Sequence, residues 1–253
     1  GDAMNAMGAL PGDPTTARSW RDLVFPPVCI GCGELVQGSE PFRHLCKVCV
    51  SALMRVEPPD CTVCGHPFFG DVEGERTCPH CIELHPLFRR GCTAVLFGGP
   101  ARALVIELKY RHGLHCLTEI ETILRSTPHV LAHVKDAVLV PVPLHPRKER
   151  ERGYNQSAFL AVAFARAAGG ATRVESLLVR MVDTVTQTVF DRRSRMDNLK
   201  NAFALAPGAR ILADQHYILV DDVFTTGSTL NSCAQVLRAA GSLNLDVVTF
   251  GHG

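Results

Sequence analysis

The sequence of 253 residues has no long apolar run and few aromatic side chains. No segment approaches the ~18 consecutive apolar residues that a transmembrane helix requires, so we expect no membrane insertion. The N-terminus has no basic stretch followed by an apolar core, so no signal peptide is predicted and the expected compartment is the cytoplasm. Aromatic residues make up 6% of the chain, which leaves few rings to stack on nucleic-acid bases. The formal net charge of +1 by itself indicates no class of partner.

Cysteine, by contrast, is abundant and regularly spaced. Eight of the eleven cysteines form four Cys-x-x-Cys pairs. Thirteen residues separate the first pair from the second, thirteen separate the third from the fourth, and the whole unit repeats after 32 residues. The pairs are Cys29/Cys32, Cys46/Cys49, Cys61/Cys64 and Cys78/Cys81.

Each four-cysteine unit predicts one structural zinc site. Two cysteines in a tight turn grip one side of an ion, and a second such turn completes a tetrahedral four-thiolate site with no open position. One zinc per unit is the simplest assignment, but interleaved pairing, first with third and second with fourth, is also compatible with the spacing. Free or disulfide-bonded cysteines and an iron–sulfur cluster would fit the same pattern. His44, His66 and His80 could replace a sulfur, although we expect them to be bystanders.

The cysteine pattern and the composition divide the chain into three predicted parts. Residues 1–19 are rich in Gly, Ala, Pro and Met and are predicted to be a flexible tail. Residues 20–90 are the double four-cysteine zinc-ribbon region, in which metal binding should supply much of the folding free energy. Residues 91–253 are predicted to form the second domain. Cys92, Cys116 and Cys233, which lie within it, are predicted to be small core residues.

Strand-like and helix-like segments alternate through this second domain. Strands are predicted over residues 93–97, 137–140, 217–220 and 246–250, and helices over 100–111, 156–168 and 229–240. This alternation predicts an α/β fold with a mainly parallel sheet flanked by helices. Ligands bind beyond the carboxyl ends of the strands in such sheets, so the loops after Val140 and Val220 are the predicted binding loops.

The loop after Val220 contains two acids followed by a hydroxyl-rich turn and a helix. Asp221 and Asp222 are predicted to accept hydrogen bonds from a ribose diol. The hydroxyls and backbone amides that follow, together with the helix N-terminus, can form a phosphate cradle. An ordinary turn with a helix cap is the alternative, and the Gly-Lys-Ser/Thr element of a Walker A loop is missing. The predicted phosphate-binding residues are Thr225, Thr226, Gly227, Ser228 and Thr229.

The loop after Val140 concentrates positive charge. A nearly neutral protein with basic residues gathered on loops is suited to a polyanion such as pyrophosphate or nucleic acid. Solvated surface charge is the alternative for any single arginine. The candidates in this loop are Pro143, Arg147, Lys148, Arg150 and Arg152. A second basic cluster contains Arg192, Arg193 and Arg195, of which Arg195 is the candidate for the pyrophosphate end, and Lys109 is a further candidate.

Seven short motifs accompany the cysteine pairs, at residues 108–110, 141–146, 152–156, 186–187, 195–198, 202–203 and 220–229. The segment 217–229 resembles the phosphoribosyl-pyrophosphate (PRPP) signature of type I phosphoribosyltransferases. With all of these motifs in order, the whole chain from about residue 20 to 250 resembles the ComF/GntX family. That resemblance implies a zinc ribbon joined to a type I phosphoribosyltransferase fold. It also implies, in naturally competent bacteria, the handling of incoming single-stranded DNA.

Three functions are compatible with these features. The first is a PRPP-dependent transferase in which an acceptor displaces pyrophosphate and Mg²⁺ neutralises the leaving group. In that reaction Asp221 and Asp222 are the expected catalytic residues. The second is a single-stranded DNA-binding module that retains the phosphate pocket and has little transferase activity. The third is a regulatory sensor of PRPP, which needs the same pocket and no acceptor site.

Overall fold

The computed structural model describes residues 25–37, 41–70, 73–110, 113–181 and 202–253. Its centre is a five-stranded sheet in the order β1-β7-β6-β2-β3, and every neighbouring pair of strands is parallel. A separate antiparallel pair is formed by β4 and β5. The strands are β1 (Gly91–Leu96), β2 (Val138–Pro141), β3 (Arg173–Val174), β4 (Leu178–Arg180), β5 (Phe203–Leu205), β6 (His216–Phe224) and β7 (Asn244–His252).

Helices connect the strands and cover both faces of the sheet, as the alternating pattern predicts. No helix in the described ranges is long and apolar enough to cross a membrane. The helices are α1 (Lys47–Ser51), α2 (Pro79–Ile82), α3 (Gly99–Tyr110), α4 (Cys116–Arg125), α5 (Pro128–Val134), α6 (Pro146–Arg152), α7 (Gln156–Ala168) and α8 (Ser228–Ala239). The α/β fold with a mainly parallel sheet flanked by helices is therefore confirmed.

Alternate residues of β6 contribute to two separate apolar cores. Ile218 and Val220 lie in the core formed with α3, α4, α5 and α7. Tyr217 and Leu219 lie in the core on the side of α8. Because a central parallel strand is covered on both faces, it needs apolar side chains at successive positions, and this explains the uninterrupted apolar run at 217–220.

The two four-cysteine segments extend these two cores separately. Leu45 and Leu53 from the first segment join the core that contains α3 and α4. Leu84 and Phe88, which follow the second segment, join the core that contains α8. Both segments therefore bury their apolar side chains against the sheet domain, which supplies the packing that each is too short to build alone.

The prediction that β6 ends at Val220 is wrong, because the strand continues to Phe224. On one side its pairing with β2 ends at Pro141 and Val220. On the other side β7 continues the ladder as far as the pair Phe224 and His252. The two acids thus lie inside a half-paired strand extension and not in a free loop. The predicted loop after Val140 also contains a short helix, α6.

Candidate functional site

The first four-cysteine unit gathers Cys29, Cys32, Cys46 and Cys49, whose sulfur atoms lie within 4.8 Å of one another. Sγ of Cys32 is 3.7 Å from Sγ of Cys46. A tetrahedral zinc with Zn–S bonds of ~2.3 Å requires sulfurs separated by about 3.8 Å, so the spacing fits the ion. The backbone N–H of Cys46 donates to Sγ of Cys29 at 3.3 Å, as is typical of thiolate ligands.

The second unit gathers Cys61, Cys64, Cys78 and Cys81 with the same sulfur spacing. Sγ of Cys64 lies 3.8 Å from Sγ of Cys78, and the N–H of Cys78 donates to Sγ of Cys61 at 3.2 Å. All four cysteines are buried, whereas Cys32 of the first unit is exposed. Hydrogen bonds from the Cys64 and Cys81 thiols hold the pKa of Cys61 well below its usual range, and the same bonds raise the pKa of Cys64 and Cys81.

These clusters confirm the simplest pairing, in which each repeat forms its own site. Interleaved pairing is wrong for this chain. All eleven cysteines lie in the described ranges and none is in a disulfide. The three histidines near the clusters are not members of either four-sulfur group. The donor set, four sulfurs at tetrahedral spacing, fits structural zinc at both sites.

The acidic pair lies at the point where β2 departs from β6. Asp222 is buried, and its Oδ2 accepts a hydrogen bond from Nε2 of Gln156 at 3.0 Å. The same oxygen lies 2.9 Å from Nζ of Lys109 at the end of α3. Oδ1 of Asp221 accepts from the hydroxyl of Ser157 at 3.1 Å and from the backbone N–H of Asp222 at 2.9 Å. Two carboxylates, a cation and two polar side chains therefore form one connected cluster.

The environment of Asp221 disfavours its charged form. Burial, followed by the charge of neighbouring Asp222, raises the pKa of Asp221 to about 7. The backbone N–H of Asp222, the ammonium of Lys109 and the hydroxyl of Ser157 oppose this shift without cancelling it. A carboxyl that titrates near neutrality is typical of sites that bind cations or exchange protons.

The predicted phosphate loop follows the acidic pair directly. Thr225 and Thr226 are exposed, and Oγ1 of Thr226 lies 2.9 Å from Oγ of Ser228. Gly227 has a φ of +73°, a left-handed conformation that glycine adopts without strain, and it caps the N-terminus of α8. The hydroxyls of Thr226 and Ser228 thus lie together at the N-terminus of a 12-residue helix, as an anion site requires. Thr229 lies in the first turn of the helix.

The basic segment lies beyond the carboxyl end of β2, at the same edge of the sheet as the acidic pair. Pro143 lies in the connection from β2 to α6, where the chain remains half-buried. Arg147 pairs with Glu151 at 3.0 Å on the exposed side of α6. Arg152, at the end of α6, donates to Oε1 of Gln156 at 2.7 Å and so reaches the acidic cluster. Lys148 and Arg150 lie within α6, and Arg192, Arg193 and Arg195 lie outside the described residues.

Sequence reasoning missed Gln156 and Ser157 as members of the site. Both are buried at the start of α7 and bond to the acidic pair 64 to 66 positions later in the chain. Asn155 caps the same helix and donates to the carbonyl of Val142 at 3.0 Å, which fixes α7 against the end of β2. Tyr154 donates from its hydroxyl to the carbonyl of Leu108. The motif at residues 152–156 could have indicated this part of the site, since it contains Gln156 and ends directly before Ser157.

The comparisons with known proteins agree with this architecture. Residues 20–82 match the double zinc ribbon domain. The chain is 32% identical over 214 residues to the DNA utilization protein YhgH of Salmonella typhi, covering 80% of this chain and 88% of that protein. It is 26% identical over 212 residues to the competence protein ComFC of Bacillus subtilis, covering 80% and 81% respectively. The chain belongs to the ComF family.

Two solved structures with some likeness to this ComF-family chain are phosphoribosyltransferases. The first is a hypoxanthine phosphoribosyltransferase from Staphylococcus aureus. The superposition covers 53% of this chain and 62% of the transferase chain, with 13% sequence identity and a TM-score of 0.32. The second is a purine phosphoribosyltransferase from Pyrococcus horikoshii, for which the superposition covers 52% of this chain and 70% of the transferase chain, with 13% identity and a TM-score of 0.31. A likeness of this size carries no inference about substrate or activity.

Proposed function

We propose that this ComF-family protein binds PRPP and transfers its phosphoribosyl group to an acceptor. The observation that supports the proposal is the single cluster at the edge of the sheet. It combines Asp221 and Asp222 with the hydroxyl-rich turn that begins α8. The acids are suited to a ribose diol, and the turn is suited to a phosphate. The basic segment of α6 at the same edge offers positive charge to the pyrophosphate.

Each group has a defined task in the proposed reaction. The acceptor attacks the anomeric carbon while pyrophosphate leaves, and the transition state carries positive charge on the ribose. Asp221 and Asp222 hold the ribose hydroxyls and stabilise that charge by their own negative charge. The segment 225–229 holds the 5-phosphate and so fixes the position of the ribose relative to the acceptor. Lys109 and Arg152 attract the departing pyrophosphate.

The donor set also fits Mg²⁺. Carboxylate oxygens and the phosphate oxygens of a substrate are the ligands that this cation prefers. Asp221 and Asp222 are the residues that would hold it, either directly or through water. When bound together with PRPP, Mg²⁺ supplies charge neutralisation of the pyrophosphate. Gln156 and Ser157 keep the two carboxyl groups oriented by the hydrogen bonds described above.

Calorimetry with Mg²⁺ and PRPP, followed by a pyrophosphate-release assay with candidate bases and amines, tests the proposal. The wild-type protein should bind PRPP, and Asp222→Asn should lower pyrophosphate release by at least about 100-fold. Asp214→Asn, an exposed carboxylate before β6, is the matched control and should keep full activity. Binding without release for any acceptor would contradict the transferase and leave a PRPP-binding or sensor role. Absence of binding would contradict the whole proposal.

A second candidate function, the binding of single-stranded DNA, is favoured by the basic face of α6. Arg147 and Arg150 are exposed, and Lys148 lies between them in the sequence. The relatives named above are DNA utilization and competence proteins, which makes a DNA ligand reasonable for this family. Backbone phosphates and pyrophosphate present the same chemistry to such a surface. The two functions therefore share the basic segment and differ in whether the acidic pair is needed.

The division of the chain at residues 90 and 91 remains a prediction. Both zinc ribbons share apolar cores with the sheet domain, so a cut at this position would expose the side chains on both sides of it. We propose that residues 20–90 and 91–253 fold together and act as one unit. The cytoplasmic location likewise remains a prediction.

A further inference from the structure

Each zinc ribbon is contacted by a polar side chain of the sheet domain that bonds to its backbone, and the two side chains lie in different places. Glu119 in α4 anchors the first ribbon. Its Oε1 accepts the backbone N–H groups of Arg43 and His44, both at 3.1 Å. Glu119 is buried, and the residues Leu117 and Ile120 of the same helix lie in the core that contains α3 and α7. The first ribbon is therefore held by the side of the sheet opposite α8.

Asn231 in α8 anchors the second ribbon. Its Oδ1 accepts the backbone N–H of Leu87 at 2.7 Å. Its Nδ2 donates to the carbonyl oxygens of Leu84 and His85 at 3.5 and 3.4 Å. Arg238 in α8 supports this contact by donating to the carbonyl of Leu87 at 2.9 Å. The backbone N–H of Asn231 itself donates to the carbonyl of Gly227 at 2.8 Å. One residue thus closes the first turn of the helix after the phosphate loop and holds the chain that leaves the second zinc site.

The second ribbon also contacts the phosphate loop through an apolar side chain. A Cβ atom placed on Gly227 would lie 2.8 Å from Cδ2 of Leu84 and 2.6 Å from Cζ of Phe224. Leu84 follows the last cysteine of the second site closely, and its N–H donates to the carbonyl of Cys81 at 3.1 Å. The glycine turn of the loop therefore rests directly on the zinc-bound segment.

A stack of rings provides a third contact at the other end of the loop. The ring of His66, two residues after Cys64, meets the ring of His252 with centroids 4.9 Å apart. His252 in turn stacks on Phe224, with centroids 5.6 Å apart and planes 8° apart. Phe224 is the last residue of β6 before Thr225, so this end of the loop is linked to the second ribbon through His252, and Gly227 meets the ribbon directly at Leu84.

From these contacts we infer that the second zinc ribbon positions the phosphate loop for ligand binding and that the first ribbon has no such role. Asn231 and Leu84 are the positioning residues. The inference rests on the proposed function, since it assigns the loop to the 5-phosphate of PRPP. Metal-dependent folding of the second ribbon then sets the conformation of the loop, because a ribbon without its ion loses the packed segment under Gly227.

The test compares Asn231→Ala with Glu119→Ala, the matched anchor of the first ribbon. Calorimetry measures the affinity of each protein for Mg²⁺-PRPP and for Mg²⁺-pyrophosphate, and hydrogen–deuterium exchange measures the mobility of residues 224–232. Asn231→Ala should weaken PRPP binding by about tenfold, the effect of losing a few hydrogen bonds, and should speed exchange in the loop. Pyrophosphate binding should stay unchanged because the basic segment holds it. Glu119→Ala should lower the melting temperature and change neither affinity nor exchange at the loop.

Unchanged PRPP affinity and unchanged loop exchange in Asn231→Ala, or equal changes in Glu119→Ala, would overturn the inference. If Asn231→Ala retains fewer than two zinc ions by native mass spectrometry, Leu84→Val decides the same comparison, because it removes the Cδ2 atom that packs against Gly227 and keeps the core apolar. If the wild-type protein binds neither PRPP nor pyrophosphate, the proposed function fails. The exchange comparison between the two anchors then decides the positioning role alone.

Discussion

Nζ of Lys109 lies 2.9 Å from Oδ2 of Asp222, and this ion pair connects the end of α3 to the carboxyl-end extension of β6. The side chain of Asp222 is 7% exposed and that of Lys109 is 24% exposed, so the carboxylate is largely removed from water and the ammonium is not. Gln156 donates to the same oxygen. We interpret Lys109 as the residue that balances the charge of the acidic pair when no ligand is bound. Once Mg²⁺ takes over that task, the ammonium of Lys109 is available to bind pyrophosphate.

Replacing Lys109 by Gln tests this interpretation. The substitution removes the charge and keeps most of the side-chain length, so PRPP affinity should fall by about tenfold or more, the effect of one lost charge-assisted hydrogen bond. Calorimetry at several salt concentrations is the measurement. Arg102→Gln, an exposed charge on the same helix, is the control and should leave the affinity unchanged. An equal loss in both variants would mean that only net charge matters.

The pKa of Asp221, raised to about 7, predicts how stability depends on pH. The unfolded carboxyl titrates near ~3.9, so between about pH 4 and pH 7 the folded chain keeps a proton that the unfolded chain has lost. Stability should therefore fall as the pH rises through this window, and the loss should be complete above it. In urea unfolding, the free energy of unfolding of the wild-type protein should fall by roughly 1 kcal/mol from pH 6 to pH 8, and that of Asp221→Asn should not show this decrease.

Ligand binding should show the opposite sign over the same pH range. The ionised form of Asp221 is the one that accepts hydrogen bonds from the ribose diol and binds a cation, so affinity for Mg²⁺-PRPP should rise from pH 6 to pH 8. Asp214→Asn should follow the wild-type protein in both measurements. A flat stability difference between Asp221→Asn and the wild-type protein would contradict the raised pKa.

Much of this architecture follows from patterns that are local in the sequence. The Cys-x-x-Cys spacing predicts both zinc sites because each ligand pair comes from one turn and each site from one repeat. The apolar run before Asp221 predicts a buried strand, and the glycine and hydroxyl residues after it predict a phosphate turn. These features depend on neighbours within about 20 residues, where a periodic pattern is informative.

The rest depends on contacts between distant segments. Gln156 and Ser157 reach the acidic pair only because β2 lies beside β6 in the sheet, a neighbour relationship that no local pattern specifies. Asn231 has the sequence context of an ordinary surface position on an amphipathic helix, and only the path of the second ribbon makes it an anchor. The extension of β6 to Phe224 depends in the same way on β7, which continues the ladder beyond the end of β2.

The different burial of the two zinc sites predicts two rates of metal release. Cys32 is exposed, whereas all four ligands of the second site are buried, so a chelator should reach the first ion sooner. With excess chelator, zinc should leave in a fast and a slow phase of equal amplitude. Cys32→Ser should remove the fast phase and leave about one zinc per chain, and Cys64→Ser should remove the slow phase. A single phase in the wild-type protein would contradict the assignment.

The basic face of α6 predicts salt-dependent binding of single-stranded DNA. Replacing Arg147, Lys148 and Arg150 together by Ala should weaken oligonucleotide binding and reduce the slope of log affinity against log salt by roughly 0.7 for each phosphate that is no longer neutralised. Arg152 is kept because its bond to Gln156 supports the acidic pair, and its loss would affect both functions.

The control is Arg210→Ala, which removes one exposed charge in the segment before β6 and should leave the slope unchanged. Fluorescence anisotropy from low to physiological salt gives both slopes. If the triple variant binds DNA like the wild-type protein while its PRPP affinity falls, α6 serves the pyrophosphate and the DNA surface lies elsewhere.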